Sequence, residues 1–73
     1  MQRHVNGQAI RAIRQGQGMQ QAELARRSKI SASHMNKIES GAQIPKLETA
    51  VRIAGGLGVH IDAIAPVIQP ASA

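Results

Sequence analysis

A cluster of hydrogen-bonding side chains stands in the stretch SASHMNKIES, residues 31–40. If this stretch is a helix, its residues are spaced by about 100°, and Met35 and Ile38 fall on one side, where they can enter a core. The polar side chains on the opposite side are Ser33, Asn36, Lys37 and Ser40. Small groups at the start of such a face let a ligand approach the backbone, and a helix N-terminus attracts anions. The stretch therefore indicates a ligand-binding surface.

Positive charge is concentrated in the same half of the chain. The sequence has nine Lys and Arg against four Asp and Glu, a formal net charge of +5 in 73 residues. The basic residues that precede Gly41 are Arg3, Arg11, Arg14, Arg26, Arg27, Lys29 and Lys37. Only Glu23 and Glu39 oppose them there. A one-sided basic surface is typical of a polyanion binder, although a basic face that only meets solvent is the alternative.

The missing residue types narrow the class of ligand. The chain has no Phe, Tyr or Trp, which disfavours RNA and single-strand binding modules, because these commonly stack bases on aromatic rings. It also has no Cys, so a disulfide, a thiolate zinc site and a Cys nucleophile are all excluded. Duplex DNA, which can be read without stacking, is the better prediction.

No catalytic, cofactor or metal site is predicted. His4, His34 and His60 are isolated, and none has a second ligand at metal spacing. No arrangement of Ser, His and Asp matches a catalytic motif, and the GQG stretch at 16–18 breaks a helix rather than cradling a phosphate. The sequence therefore predicts a binding protein and not an enzyme.

Length and hydropathy predict a single small domain in the cytoplasm. A chain of 73 residues can bury one modest core. No apolar run approaches the roughly 20 residues needed to span a bilayer, and the N-terminal residues lack the apolar stretch of a secretory signal. We therefore expect no membrane partner.

Helical periodicity predicts an all-α bundle of about five short helices. The predicted helices cover about residues 7–16, 20–28, 32–40 and 47–56, with a short last helix marked by Ile61 and Ile64. Ser31 can cap the third helix, Gly41 can end it in the left-handed conformation, and Pro66 ends the last one. We expect residues 1–65 to form one domain and residues 66–73 a flexible tail, and we predict no strand.

A set of residues around the third helix resembles a known motif. The residues that carry the resemblance are Gln21-Ala22-Glu23-Leu24-Ala25, Ile30, Met35, Ile38, Glu39 and Gly41. Further matches are Ile10, Ile13, Arg14, Pro45, Leu47-Glu48-Thr49, Leu57-Gly58-Val59 and Asp62. Over roughly residues 6–65 the chain resembles the helix-turn-helix of the lambda-repressor-like family of phage repressors and Cro proteins.

The resemblance implies roles for individual residues on double-stranded DNA. The third helix would enter the major groove as the recognition helix, with four residues at base-reading positions: Ala32, Ser33, His34 and Lys37. His34 could equally reach a phosphate. The positions that would contact the phosphate backbone are Gln20, Gln21, Ser40, Lys46 and Arg11. Such contacts position a protein on DNA without reading its sequence.

The resemblance also implies an ion pair between Arg14 and Glu39, across the first and third helices. Both residues lie beside apolar stripes, where an unpaired charge would be costly. We therefore interpret this pair as structural, with direct DNA contact as the less favoured reading.

Three positions depart from the pattern of the family. Lys29 stands where a glycine usually occupies the turn between the second and third helices, and a left-handed Lys would cost about 1 kcal/mol unless the turn is adjusted. His60 replaces the usual Ser or Thr cap of the last helix, and Ala42 replaces a frequent basic residue. These departures affect the last helix and the loop, but not the core pattern.

The function implied by the resemblance is that of a sequence-specific transcriptional regulator. We expect a repressor or Cro-like protein that binds a palindromic operator as a homodimer, which could be completed only on DNA. One alternative is an antitoxin-like module whose main partner is a protein, and another is an architectural or recombination accessory protein. The apolar residues that could serve as a dimer seam or a partner surface are Ile61, Ile64, Val67 and Ile68.

Overall fold

The computed structural model describes residues 2–68 and the side chains of residues 4–66. The helices are α1 (Gly7–Gly16), α2 (Gln21–Arg27), α3 (Ala32–Ser40) and α4 (Leu47–Leu57), followed by one 3-10 turn (Ile61–Ala63). The packed helices agree with the all-α bundle that the sequence pattern predicts. The prediction of a fifth α-helix is wrong, because Ile61–Ala63 forms only one 3-10 turn.

Side-chain caps fix where the helices begin. Asn6 Oδ1 accepts a hydrogen bond from Ala9 N at 3.1 Å at the start of α1. Ser31 Oγ does the same for His34 N at 3.0 Å at the start of α3. His60 Nδ1 accepts from Asp62 N at 3.2 Å, so the imidazole supplies the cap that the family pattern assigns to a hydroxyl. Each cap satisfies a backbone donor that would otherwise lack a partner in the helix.

The core lies where α2, α3 and α4 meet over α1. Its large members with essentially no exposed surface are Ile10, Leu24, Met35, Ile38, Ile53 and Ile64. Ala25 on α2 is buried as well, and its small side chain suits the close contact of α2 with α3. Burying a side chain of the size of Leu or Ile stabilises a fold by about 1.5–3 kcal/mol, so these residues are the main source of stability.

The first turn of α1 packs tightly on the last turn of α3. A Cβ on Gly7 would lie 2.1 Å from the carbonyl oxygen of Ile38, a distance at which no side chain can be accommodated without movement of the backbone. Glycine at this position lets the two helices approach each other, and it holds α3 against α1 near Glu39.

The turn between α2 and α3 keeps a left-handed residue. Lys29 has φ 60°, and Ile30 N donates to Ala25 O at 3.0 Å, which closes the end of α2. The turn is therefore not adjusted around the lysine, and the strain of about 1 kcal/mol for a left-handed Cβ is retained.

The two ends of the described chain pair with each other. Two-residue strands, β1 (Gln2–Arg3) and β2 (Val67–Ile68), form an antiparallel pair. Next to it, Asn6 N donates to Ile64 O at 2.7 Å. This pair was not predicted, and β2 uses two residues of the expected tail, whose residues 69–73 lie outside the described part. None of the described helices has the length and apolar character required to cross a membrane.

Candidate nucleic-acid interface

The outer face of helix α3 is polar and exposed, whereas its inner face is buried in the core. Met35, Ile38 and Glu39 are buried beneath it. The exposed residues of α3 are Ala32, Ser33, Asn36, Lys37 and Ser40. Three of the four predicted base-reading residues therefore lie on one accessible surface, with a methyl, a hydroxyl and an ammonium group. These groups can contact a thymine methyl, several base edges, and guanine O6 and N7, respectively.

His34 differs from the other three predicted base-reading residues. It is only partly exposed. Its Nε2 atom is buried and has no hydrogen-bond partner among the described residues. Only a rotation of the ring, or its other nitrogen, could bring the imidazole to a ligand on the outer face of α3.

The carboxylate of Glu39 is the centre of a buried hydrogen-bond network. Arg14 Nε donates to Glu39 Oε2 at 2.8 Å and Arg14 Nη2 donates to Oε1 at 3.0 Å, so the two groups form a bidentate pair between α1 and α3. The third donor group of Arg14, Nη1, reaches Met19 O at 2.8 Å. A bidentate charged pair of this kind fixes geometry more strongly than a single hydrogen bond does. It therefore holds α3 at a defined angle to α1.

The two glutamines at the start of α2 have different environments. Gln20 is exposed at the N-cap position and makes no side-chain cap hydrogen bond. Gln21 is half-buried, and its Nε2 donates to Glu39 Oε1 at 3.2 Å and to Asn36 Oδ1 at 3.5 Å. The amide nitrogen of Gln21 thus joins α2 to α3, while the side chain of Gln20 is exposed.

The remaining predicted phosphate contacts lie at the ends of α3 and α4 and on α1. Ser40 Oγ donates to Lys37 O at 3.1 Å and accepts from Ala42 N at 3.4 Å, so it closes the end of α3. Arg11 is 47% exposed, and its Nε lies 3.5 Å from Glu39 Oε1. Lys46 is exposed at the N-cap of α4.

The two lysines of this surface keep their charge available. Within the described residues, neither Lys37 nor Lys46 has a carboxylate partner. In contrast, the arginines of α2 pair within their own helix, because Glu23 forms ion pairs with both Arg26 and Arg27. The hydrogen bond from Arg26 lowers the pKa of Glu23, so this carboxylate keeps its charge to a lower pH than an unpaired glutamate does. Positive charge is therefore less neutralised along α3 and the following loop than on α2.

Two features of this surface were not in the predicted set of site residues. Asn36 shares the exposed side of α3 with Lys37, and an asparagine amide can pair with adenine N6 and N7. Its polar type and helical spacing were the signal that could have identified it. The contact of Gln21 with Glu39 joins residues 18 positions apart, and the local pattern carries no signal for it.

The same surface offers no metal centre in the described part of the chain. No three His, Asp or Glu side chains come together there in a group that could hold a metal ion. The chemistry of the exposed residues is that of hydrogen bonding and charge.

Comparisons with known proteins agree with the helix-turn-helix fold. A family model described as helix-turn-helix matches residues 10–64. An immunity repressor protein of Bacillus phage phi105 is 38% identical over 58 residues, which cover 80% of this chain and 40% of that protein. A transcriptional regulator of the helix-turn-helix type from Sinorhizobium fredii is also 38% identical, and the matched part is 33% of its length. The chain thus spans two fifths or less of these curated relatives.

Solved structures with the same fold include two regulators. The restriction-modification controller protein C.AhdI from Aeromonas hydrophila aligns with a TM-score of 0.76 at 26% identity, over 78% of this chain and 86% of that one. The P22 c2 repressor, solved in complex with a synthetic operator, aligns with a TM-score of 0.72 at 25% identity, over 77% and 85% of the two chains.

Proposed function

Because this chain belongs to the helix-turn-helix family, we propose that it is a sequence-specific transcriptional regulator that binds double-stranded DNA. It acts by occupying an operator and blocking transcription, as a repressor or Cro-like protein does. The proposed activity is binding and involves no covalent chemistry. Because its ligand is DNA, we place the protein in the cytoplasm, at the nucleoid. The operator-bound P22 c2 repressor and the phage immunity repressor support the proposal as similar proteins.

The observation that carries the proposal is the exposed polar face of α3 on its rigid support. The Arg14–Glu39 pair and the buried Met35 and Ile38 leave the outer residues free of any role in the core. A helix that offers a methyl, a hydroxyl and an ammonium group, with buried contacts fixing its angle, suits the major groove.

The proposed contacts fall into two classes. The residues assigned to base reading are Ala32, Ser33, His34 and Lys37. The residues assigned to phosphate contact are Gln20, Gln21, Ser40, Lys46 and Arg11. Since the amide nitrogen of Gln21 is engaged by Glu39 and Asn36, we assign its phosphate contact to the backbone N–H at the start of α2.

The protein binds its operator as a homodimer. One recognition helix reads only a few base pairs, and two copies on a palindrome, with half-sites about 34 Å apart, multiply the specificity. Binding to the two half-sites adds to the stability of the dimer, which therefore depends on the operator.

The test is selection of binding sites from a random duplex library over several rounds. The winning site is then titrated against a scrambled duplex of the same composition at two salt concentrations. An enriched palindrome, bound roughly a thousandfold more tightly than the scrambled duplex, is the expected result. Weak binding that is indifferent to sequence and falls steeply with salt would show only a polyanion surface, and would overturn the proposal.

A further inference from the structure

Exposed apolar side chains lie on the outer side of α4 and in the loop before it. Ile44, Leu47 and Val51 are 71%, 54% and 51% exposed. Leu47 and Val51 are four residues apart in α4, and Gly55 extends the same row by one further turn, with open space where a Cβ would be. We refer to Ile44, Leu47, Val51 and Gly55 as the α4 stripe.

A pair of opposite charges borders the α4 stripe on one flank. Glu48 and Arg52 each follow a stripe residue by one position, so both lie on the same side of the row. The Glu48 side chain is 83% exposed and is met by Arg52 Nη1 at 3.2 Å. Arg52 is anchored from the other side, because its Nε donates to Ser28 O at 3.0 Å. The flank thus presents a negative charge followed, one turn later, by a positive one.

We propose that the α4 stripe is the contact between two copies of this chain, with their α4 helices antiparallel across a two-fold axis. In a two-fold contact the same patch meets itself, and each residue pair occurs twice. An antiparallel arrangement brings Glu48 of one copy to Arg52 of the other. A parallel arrangement brings like charges to the same level, which is unfavourable.

The apolar and the charged residues require the same position of the axis. Pairing of Glu48 with Arg52 centres the contact on Ala50, and pairing of Leu47 with Val51 centres it on Thr49. The two requirements agree to within one residue. The Ile44 end of one copy then lies toward the Gly55 end of the other, where the missing Cβ leaves room for a large side chain.

The position of the α4 stripe links this contact to the DNA surface. Ile44 lies in the loop between α3 and α4. Ser40 and Lys46, two of the proposed phosphate contacts, flank this loop. The inference deepens the proposed function, on which it rests for its biological consequence, since it supplies the second copy that a palindrome requires. Its test does not need the operator, so the two proposals can fail separately.

The orientation is tested by single-cysteine cross-linking, which the absence of native cysteine makes specific. Ile44→Cys and Gly55→Cys chains of different mass are mixed and treated with a short bismaleimide. The antiparallel contact predicts the mixed dimer as the main product and little product from Ile44→Cys alone. Cross-linking of Ile44→Cys alone, or no product above that of an Ala12→Cys control on α1, would overturn the proposal.

The energetic role of the stripe is tested by sedimentation with matched charge variants. Val51→Lys and Ala12→Lys add the same charge at exposed helical positions. Val51→Lys should weaken self-association by roughly tenfold or more, whereas Ala12→Lys should leave it unchanged. On DNA, Val51→Lys should lose affinity for the palindrome and keep that for a single half-site. Equal self-association of the two variants, or equal loss on half-site and palindrome, would overturn the inference without affecting the proposed function.

Discussion

At the scale of single residues, one buried carboxylate organises the surface that we assign to DNA. Glu39 accepts hydrogen bonds from Arg14 on α1 and from Gln21 on α2. Because its side chain is fully buried, these donors compensate for the solvation that it has lost. The residue belongs to α3, on which we place the base-reading residues, but it serves to hold three helices together.

The first prediction concerns removal of this charge. Glu39→Gln leaves the guanidinium of Arg14 without its buried counter-ion, and we expect a loss of about 3 kcal/mol in the free energy of unfolding. Such a loss lowers the melting temperature by roughly 12–24 °C for a domain of this size. Thermal unfolding followed by circular dichroism measures it. Glu23→Gln, which removes a partly exposed partner of Arg26 and Arg27 within α2, is the control, and equal melting temperatures for the two variants would contradict the structural role of Glu39.

The second prediction separates base reading from phosphate contact with two exposed lysines. Lys37→Ala should cost about 1–3 kcal/mol on the selected operator and much less on a scrambled duplex. Lys46→Ala should weaken binding to both duplexes alike and reduce the slope of log affinity against log salt by about 1. Fluorescence anisotropy at several salt concentrations measures both. If the two variants behave alike, the assigned roles are wrong.

At the scale of elements, the sequence allowed the helices to be located because their limits are set by neighbouring residues. Ser31 and Gly41 bound α3 as the local pattern predicts. Contacts between distant residues carry no such local signal, which is why the hydrogen bonds of Gln21 to Asn36 and Glu39 were not foreseen. The strand pair was missed for a different reason, because a strand of two residues is too short to show a recognisable alternation of polar and apolar residues.

The third prediction concerns the strained turn between α2 and α3. Lys29→Gly should raise the free energy of unfolding by about 1 kcal/mol, because glycine adopts the left-handed conformation without a Cβ penalty. Lys29→Ala removes the charge and retains the Cβ, so it should leave stability nearly unchanged. Chemical denaturation of the three proteins makes the comparison. If Lys29→Ala raises the free energy of unfolding as much as Lys29→Gly does, the gain comes from removal of the charge and not from relief of backbone strain.

The fourth prediction concerns the packing of α1 on α3. Gly7→Ala should destabilise the protein by about 1–3 kcal/mol, since the added Cβ overlaps the Ile38 carbonyl and the helices must separate. Gly16→Ala, at the other end of α1, meets nothing within 4 Å and should leave stability unchanged or raise it by up to about 1 kcal/mol. Denaturant titration measures the free energy of unfolding of both variants. If Gly7→Ala is as stable as the original protein, α1 and α3 do not approach each other as closely as described.

At the scale of the whole molecule, a small core is completed by the last described turn of the chain. Ile64 and Ala65 are fully buried, although they follow α4 by several residues. The N-terminal segment then covers them, with Asn6 N bonded to Ile64 O and His4 N bonded to Pro66 O. The beginning and the end of the described chain therefore stabilise each other.

The fifth prediction tests this closure by truncation. A chain that ends at Ala65 loses the strand pair and should remain folded, with a loss of about 1–2 kcal/mol for a few exposed backbone hydrogen bonds. A chain that ends at Ala63 also loses two buried residues, and the cost of about 2–5 kcal/mol for a residue such as Ile should leave it largely unfolded. Circular dichroism distinguishes the two, and equal helical content would contradict the role of Ile64.

The separation of support and surface in α3 has an evolutionary consequence. Ala32, Ser33 and Lys37 project outward, while Met35, Ile38 and Glu39 hold the helix in place. Substitutions at the three outer positions cost little stability, because no buried contact depends on them. A lineage carrying this domain can therefore acquire a new operator preference through a few neutral steps, without first accumulating compensating changes in its interior.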